Sequence, residues 1–291
     1  MPVFEIKNNL LSVKVNSFGA ELCSVVSKET DIEYIWQANE SVWARHAPNL
    51  FPIVGKLKGG EFQYQSKTYQ LPQHGFARDN EFICVEQTDD YVLFELTASD
   101  KTLVNYPFHF SFQVGYKLID NKVITSYSVF NPDNYDLYFS VGAHTAFNCP
   151  LQVDELFEDY ELVFPSKDNF TINTLKDGLI TSQIKNIELK NHKLQVTKQL
   201  FDNDALVLMN SQIDEVQLVS TKSKHGVSLI SKDWPFYGIW TKKNTNQFIC
   251  LEPWQGIADS DDANGDFSQK TGIIKLKSEE NYDCSFDVVF F

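Results

Sequence analysis

Three short segments carry groups able to move protons near neutral pH. They are Gln73-His74-Gly75-Phe76-Ala77-Arg78-Asp79, Gly142-Ala143-His144-Thr145-Ala146-Phe147-Asn148 and Cys250-Leu251-Glu252-Pro253-Trp254-Gln255-Gly256. An imidazole titrates near 7 unaided, and a carboxylate lodged among aromatics is pushed upward to meet it. Two imidazoles and one carboxylate in a single site are therefore the parts of a general acid–base catalyst. Gly75 beside His74, and Gly142 with Ala143 before His144, leave room for a ligand to approach the rings. Glu252 follows the apolar run Phe248-Ile249-Cys250-Leu251, and a carboxylate at the end of a buried strand is costly without a partner or a task. A lone histidine in a β-rich chain is more often a packed or surface residue, so the case rests on the three segments converging. His109, His192 and His225 take that bland reading; His46, close to Trp43 and Arg45, is a candidate for the same cavity.

The tryptophans run in parallel. Trp240 and Trp254 bracket the Glu252 segment, and Trp36 and Trp43 precede Asn49–Lys56. Flat aromatic faces suit the C–H-rich faces of sugars, although large aromatics fill cores equally well. Other patterns fail on inspection. Val54-Gly55-Lys56-Leu57 lacks the earlier glycine and the following Ser/Thr of a phosphate loop. The acidic run Asp259–Asp266 would need a carboxylate at Ser260 and at Thr271 to make a calcium loop in register with Gly265. No cysteine or histidine pair has zinc-ligand spacing, and there is no Gly-x-Ser-x-Gly elbow. Neither a metal nor a cofactor is expected.

The elements that must position these groups are strands. Phe4 and Ile6, then Leu11, Val13 and Val15 across Lys7-Asn8-Asn9, read as a hairpin. Phe108, Phe110, Phe112, Val114, Tyr116 and Leu118 fall on one face, followed by Asp120-Asn121 and then Val123, Thr125, Tyr127 and Val129. Similar runs occur at 91–97, 214–220, 226–231 and 284–291. Helical periodicity is scarce: 152–160 and 198–210 each have room for a turn or short helix, and 181–195 reads as a loop and edge strand. No linker or repeat divides residues 1–291, so one antiparallel β domain is expected, a sandwich or a large open barrel. The chain has 291 residues, 43% of them hydrophobic and 14% aromatic, enough for a large core. A net charge of −14 with no basic stretch argues against nucleic acid as a partner. Five cysteines without paired spacing, a start with no leader-like run, and no apolar stretch of roughly 20 residues point to a cytoplasmic protein with no membrane partner. Oligomeric state is not readable here.

Taken in order, Asn49-Leu50-Phe51-Pro52-Ile53-Val54-Gly55-Lys56-Leu57, the Gln73–Asp79 segment, Val141–Phe147, Phe201-Asp202-Asn203-Asp204-Ala205-Leu206 and Leu251-Glu252-Pro253-Trp254 give the chain a specific resemblance. It resembles the aldose 1-epimerase (galactose mutarotase-like) family nearly end to end, most closely the branch found beside bacterial lactose and galactose utilisation genes. The resemblance implies a β-supersandwich, a groove on its concave face, a sugar substrate and no cofactor. It implies His144 as the acid at the ring oxygen, Glu252 as the base at the anomeric hydroxyl and His74 as a second, orienting histidine. Lys56 falls where many relatives carry a sugar-contacting arginine, and it keeps the charge but loses the planar fork. Asp204 is the candidate for a further substrate-binding carboxylate, and Trp240 or Trp254 for a stacking platform. Arg78 lies in a segment shared with relatives that bind phosphorylated hexoses. A neutral aldohexose is the expected substrate, with a hexose 6-phosphate mutarotase or a non-catalytic sugar-binding protein as the alternatives.

Overall fold

In the computed structural model, which describes residues 2–291, period-two alternation becomes antiparallel sheet along most of the chain. The longest hairpin pairs Ser111–Ile119 with Lys122–Phe130, with Leu118 opposite Val123 and Phe112 opposite Val129. Phe112, Val114, Tyr116 and Leu118 are all buried, as are Val123, Thr125, Tyr127 and Val129 opposite them. This hairpin is the centre of a nine-stranded sheet. Beyond Lys122–Phe130 lie Asn281–Phe290, Gly226–Ile230, Glu215–Ser220, Tyr160–Val163 and Lys193–Gln195, and beyond Ser111–Ile119 lie Tyr91–Thr97 and Ile83–Gln87.

The second, eight-stranded sheet runs Leu179–Glu188, Asn169–Lys176, Leu206–Met209, Phe236–Trp240, Phe248–Gln255, Val141–Ala143 and Asn49–Leu50, with Thr145–Asn148 also paired to Phe248–Gln255. Phe112 and Val114 from one sheet share a continuous core with Ile239, Ile249 and Leu251 from the other. Val3–Lys7, Leu11–Asn16 and Glu21–Ser27 form a three-stranded N-terminal sheet on that same core, so the expected first hairpin is present. The all-β expectation holds.

The differences are local. The 181–195 stretch is mostly strand: Leu179–Glu188 edges one large sheet and Lys193–Gln195 the other. Its polar composition reflects those edges, where one side faces water. Residues 152–160 and 198–210 hold single 3₁₀ turns, Phe157–Asp159 and Lys198–Phe201, and the second stretch continues into a strand. Reading by periodicity misses the α-helix Asp100–Asn105, which is too short to show a repeat. It is marked instead by its start, where Ser99 and Thr102 bond reciprocally across the first turn.

One buried side chain joins the three main sheets. Asn49 donates to the carbonyls of Gly19 and Ala20 at 3.0 and 2.9 Å and accepts from the Tyr127 hydroxyl at 2.8 Å. Tyr116 adds its own bond to the Ala20 carbonyl at 2.8 Å. Every polar atom of this hub is deeply buried, so deleting one member leaves others unpaired. Asn49→Leu is expected to lower the unfolding free energy by roughly 2–4 kcal/mol, read from denaturant midpoints, while Tyr127→Phe costs about 1–3 kcal/mol.

Candidate active site

The strand Phe248–Gln255 is buried along both faces, and its two faces have different jobs. Ile249 and Leu251 enter the main core between the sheets. Cys250, Glu252 and Trp254 point the other way, towards a cavity of about 470 Å³ that Glu252 and Trp254 line. That volume lies within the ~300–1,000 Å³ usual for small-molecule sites.

Local sequence explains why His144 meets Glu252. The neighbouring strand pairs Gly142 with Trp254 and Thr145 with Leu251, in one unbroken register. Between those pairs the ladder lapses, opposite Pro253, which has no N–H to donate. The same register sets His144 directly across from Glu252, and its Nε2 lies 3.4 Å from Glu252 Oε2. Cross-strand partners share a face, so the two groups meet by strand pairing alone. Trp254 lies beside them because its neighbours have no side chains. A Cβ at Gly238 would collide with its six-membered ring, and one at Gly142 would stand 2.8 Å from its Cδ1.

His74 arrives from a loop. His74 and Gly75 both adopt left-handed backbone (φ 67° and 71°), which brings Gly75 onto the Phe51 carbonyl too closely for any Cβ. The His74 N–H donates to the Gly55 carbonyl at 2.8 Å, and the Gly55 N–H donates to His74 Nδ1 at 3.2 Å. With Nδ1 accepting, the neutral ring carries its proton on Nε2, and the Gln73 amide 3.3 Å away accepts it only with its carbonyl oxygen turned to the ring. The His74 ring stands edge-on to His144, centroids 5.4 Å apart.

The aromatic wall includes Trp43, which the sequence names among the tryptophans although Trp240 and Trp254 are the expected platform. Trp43 is stacked between His144 (5.0 Å, 27°) and Phe248 (5.4 Å, 20°) and meets Trp240 edge-on. Trp36 sits behind it, donating its indole N–H to the Trp43 carbonyl at 2.9 Å. Trp240 also meets the edge of His144, at 5.6 Å. The catalytic candidate is thus held by one stacked ring, two edge-on rings and its cross-strand partner.

Cations gather at one end. Arg45 and Arg78 both line the cavity, and Asp79 sits between them, 2.8 Å from Arg45 Nη2 and 3.8 Å from Arg78 Nε. Arg78 also donates to the Gln73 carbonyl at 2.6 Å. Its Nε is buried without a hydrogen-bond partner among the described residues. Burial, with Arg45 nearby, lowers the Arg78 pKa to about 10. Asp204 lines the opposite rim, exposed, in left-handed backbone (φ 79°), its carboxylate accepting from the Ala205 N–H. Two expected residues lie elsewhere. Lys56 runs along Gly178 and donates to the Asp177 carbonyl at 3.0 Å, because Gly178 offers its stem a path outward. His46 pairs with Glu21 at 3.8 Å and lines a different surface hollow from the cavity that its neighbour Arg45 enters.

Burial sets the protonation of the central pair. Desolvation holds the Glu252 carboxyl well above its ordinary value of 4.5. Desolvation, then the Arg78 charge, lowers His144 to about 3, and burial with the neighbouring His144 keeps His74 well below its ordinary range. The His144–Glu252 pair therefore holds one proton between them across neutral pH, with both groups uncharged.

The chain as a whole is similar to known proteins. The family model described as aldose 1-epimerase matches residues 2–275. The chain belongs to the aldose 1-epimerase family. It is 32% identical over 293 residues to protein LacX of Lactococcus lactis subsp. lactis, covering 98% of each chain, with the chromosomal and plasmid forms alike. Among solved structures, the galactose mutarotase related enzyme of Lactobacillus acidophilus superposes with a TM-score of 0.95 at 36% identity, over 100% of this chain and 97% of that one. A galactose mutarotase-like protein of Lactobacillus casei gives 0.92 at 30% identity, over 100% of both. No helix among the described residues of this epimerase-family member is long and apolar enough to cross a membrane.

The one-proton pair has a signature in stability. Below about 4.5 an unfolded chain carries two protons on these groups where the folded chain carries one, and stability falls with falling pH. Above about 6.5 the unfolded chain carries none where the folded chain still carries one, and stability falls with rising pH. Between those limits the counts match. Relative to a His144→Asn/Glu252→Gln double variant, the unmodified chain is expected to show a stability plateau between them, with losses on both sides in pH-resolved denaturation. A difference curve that is flat from acid to alkaline pH would contradict this protonation.

Proposed function

We propose that the chain is an aldose 1-epimerase that interconverts the α and β anomers of a free aldohexose. The observation that carries this reading is the direct cross-strand contact of His144 with Glu252 at 3.4 Å beneath an aromatic-walled cavity. Anomer exchange takes a proton from O1 and delivers one to the ring oxygen O5, which opens the hemiacetal to an aldehyde. Rotation about C1–C2 and reclosure on the other face complete the exchange.

Glu252 as the carboxylate takes the O1 proton, and His144 as the imidazolium gives its proton to O5. The pair holds one proton before the step and one after it; its charges vanish as the ring opens. The neutral pair of the free site reaches this ionised form by passing the Glu252 proton to His144 across their 3.4 Å contact, and burial then favours the return to neutrality as the ring opens. Reclosure runs the same transfers backwards. His74, with its proton on Nε2, is placed to donate to a sugar hydroxyl, and Trp43 and Trp240 form the wall against which a pyranose face can pack.

Polarimetry or NMR on freshly dissolved single anomers, corrected for the spontaneous reaction, tests the assignment. Glu252→Gln and His144→Asn should each lower turnover ~10²–10⁴-fold in a folded protein. Near-unchanged turnover in both variants would reject these roles, and no turnover in the unmodified chain with retained sugar binding would support a non-catalytic binding protein.

The second enzyme reading, a hexose 6-phosphate, is favoured by the two guanidiniums that share Asp79 at the cavity. The neutral sugar is preferred because both are already engaged, Arg45 with Asp79 at 2.8 Å and Arg78 with the Gln73 carbonyl at 2.6 Å. On this choice Arg78→Ala disturbs stability or loop order more than selectivity, and inorganic phosphate competes poorly. A preference for glucose 6-phosphate over glucose of about tenfold, erased in Arg78→Ala, would reverse the choice.

A further inference from the structure

The floor of the cavity brings together a third group whose chemistry proton transfer leaves unused. Cys250 lies two residues before Glu252 on the same strand face, and one donor atom from each of His144, Cys250 and Glu252 falls within 4.8 Å of the others. The thiol is fully buried, in a cluster with Trp36, Ala146 and Phe248, just under the floor that His144 and Glu252 form. Imidazole, thiolate and carboxylate are the donor types that zinc takes, at bonds of ~2.0–2.3 Å, which in a tetrahedron places donors roughly 3.3–3.8 Å apart. The widest donor separation, up to 4.8 Å, must close by about 1 Å to meet that spacing.

A second observation points to a ligand at the same spot. Glu252 Oε2 is a buried polar atom without a hydrogen-bond partner among the described residues, and it lies 3.4 Å from His144 Nε2, the ring nitrogen on its side. Both side chains belong to the cavity lining, so an ion entering from the cavity meets that oxygen and that nitrogen directly. The fourth position of a tetrahedral ion held here would face the cavity and remain open to water or a sugar hydroxyl.

We propose that His144, Cys250 and Glu252 form a binding site for a thiophilic divalent cation of the zinc class, and that its occupancy excludes sugar turnover. The exclusion rests on the epimerase reading, because the metal occupies the lone pairs that would accept from O1 and serve O5. The metal bonds displace the thiol proton and the one proton of the His144–Glu252 pair. Two negative ligands and one neutral ligand leave the bound ion with no net charge, which suits a buried site. Zinc-ligand spacing in sequence gives no sign of this site, because its donors come from neighbouring strands distant in the chain.

The test uses the full-length protein, freed of metal by a chelator, with cobalt(II) as a spectroscopic probe and zinc as the inhibitor. Cobalt is expected to give a near-ultraviolet thiolate-to-metal charge-transfer band that is lost in both Cys250→Ser and Cys250→Ala. Zinc is expected to inhibit anomer exchange reversibly and in competition with sugar. Each Cys250 variant should keep its zinc-free turnover and need at least roughly tenfold more zinc for the same inhibition. Absence of the cobalt band in the unmodified protein, or equal zinc sensitivity in the Cys250 variants, would overturn the proposal. The cobalt band is read without any sugar, so its presence in a chain that turns over no aldose would uphold the metal site and reject the epimerase reading instead.

Discussion

Burying the Glu252 carboxyl in a strand that is covered on both faces is the constraint around which the rest of the site is arranged. A carboxylate there would be unstable without a counter-group, and a carboxylic acid needs an acceptor. His144, set opposite by strand register, serves either form. The pairing does not depend on a loop finding its place, because it follows from which residues face each other across an antiparallel ladder. Pro253 contributes by what it lacks, since the missing N–H coincides with the gap in that ladder beside the His144–Glu252 pair. The glycines at 142 and 238 then allow the Trp254 indole to cover the neighbouring strands, closing the floor around the carboxyl.

The cationic end follows a different logic. Arg45 and Arg78 would repel each other across a small cavity, and Asp79 relieves this by standing between them. Arg78 is nonetheless held in partial burial, tied to the Gln73 carbonyl rather than to a full carboxylate fork. Its charge contributes to the depression of the His144 pKa, so the two ends of the cavity are coupled electrostatically. A protein of such negative overall charge thus sets two guanidiniums against the carboxylates of Asp79 and Asp204 beside an uncharged floor.

Much of this was legible before any coordinates. Alternation located the central hairpin and most of the strands, because a half-buried strand must repeat every second residue. His74, His144 and Glu252 stood out for their chemistry and their small or aromatic neighbours, and the fold brings them together. What escaped depends on contacts between distant segments. Trp43 looks like any large aromatic until strand packing slides it between His144 and Phe248. Lys56 occupies a position that the family resemblance marks, yet its side chain is drawn outward along Gly178. Cys250 reads as a core residue, and its closeness to His144 becomes visible only when two strands lie side by side. The Asp100–Asn105 helix escaped because six residues are too few for a period of 3.6 to show.

The division of labour between strand and loop has a consequence for how such a protein can change. His144 and Glu252 sit inside the most constrained part of the sheet, where any shift in register would part them. Arg45, Gln73, Arg78 and Asp204, which meet the outlying parts of whatever enters, all sit on turns or loops. Those loops tolerate replacement far better than the strands beneath them. A lineage can therefore trade one sugar for another by rewriting the rim while inheriting the proton-handling floor intact. Diversification of substrate is, in this architecture, separable from preservation of reaction.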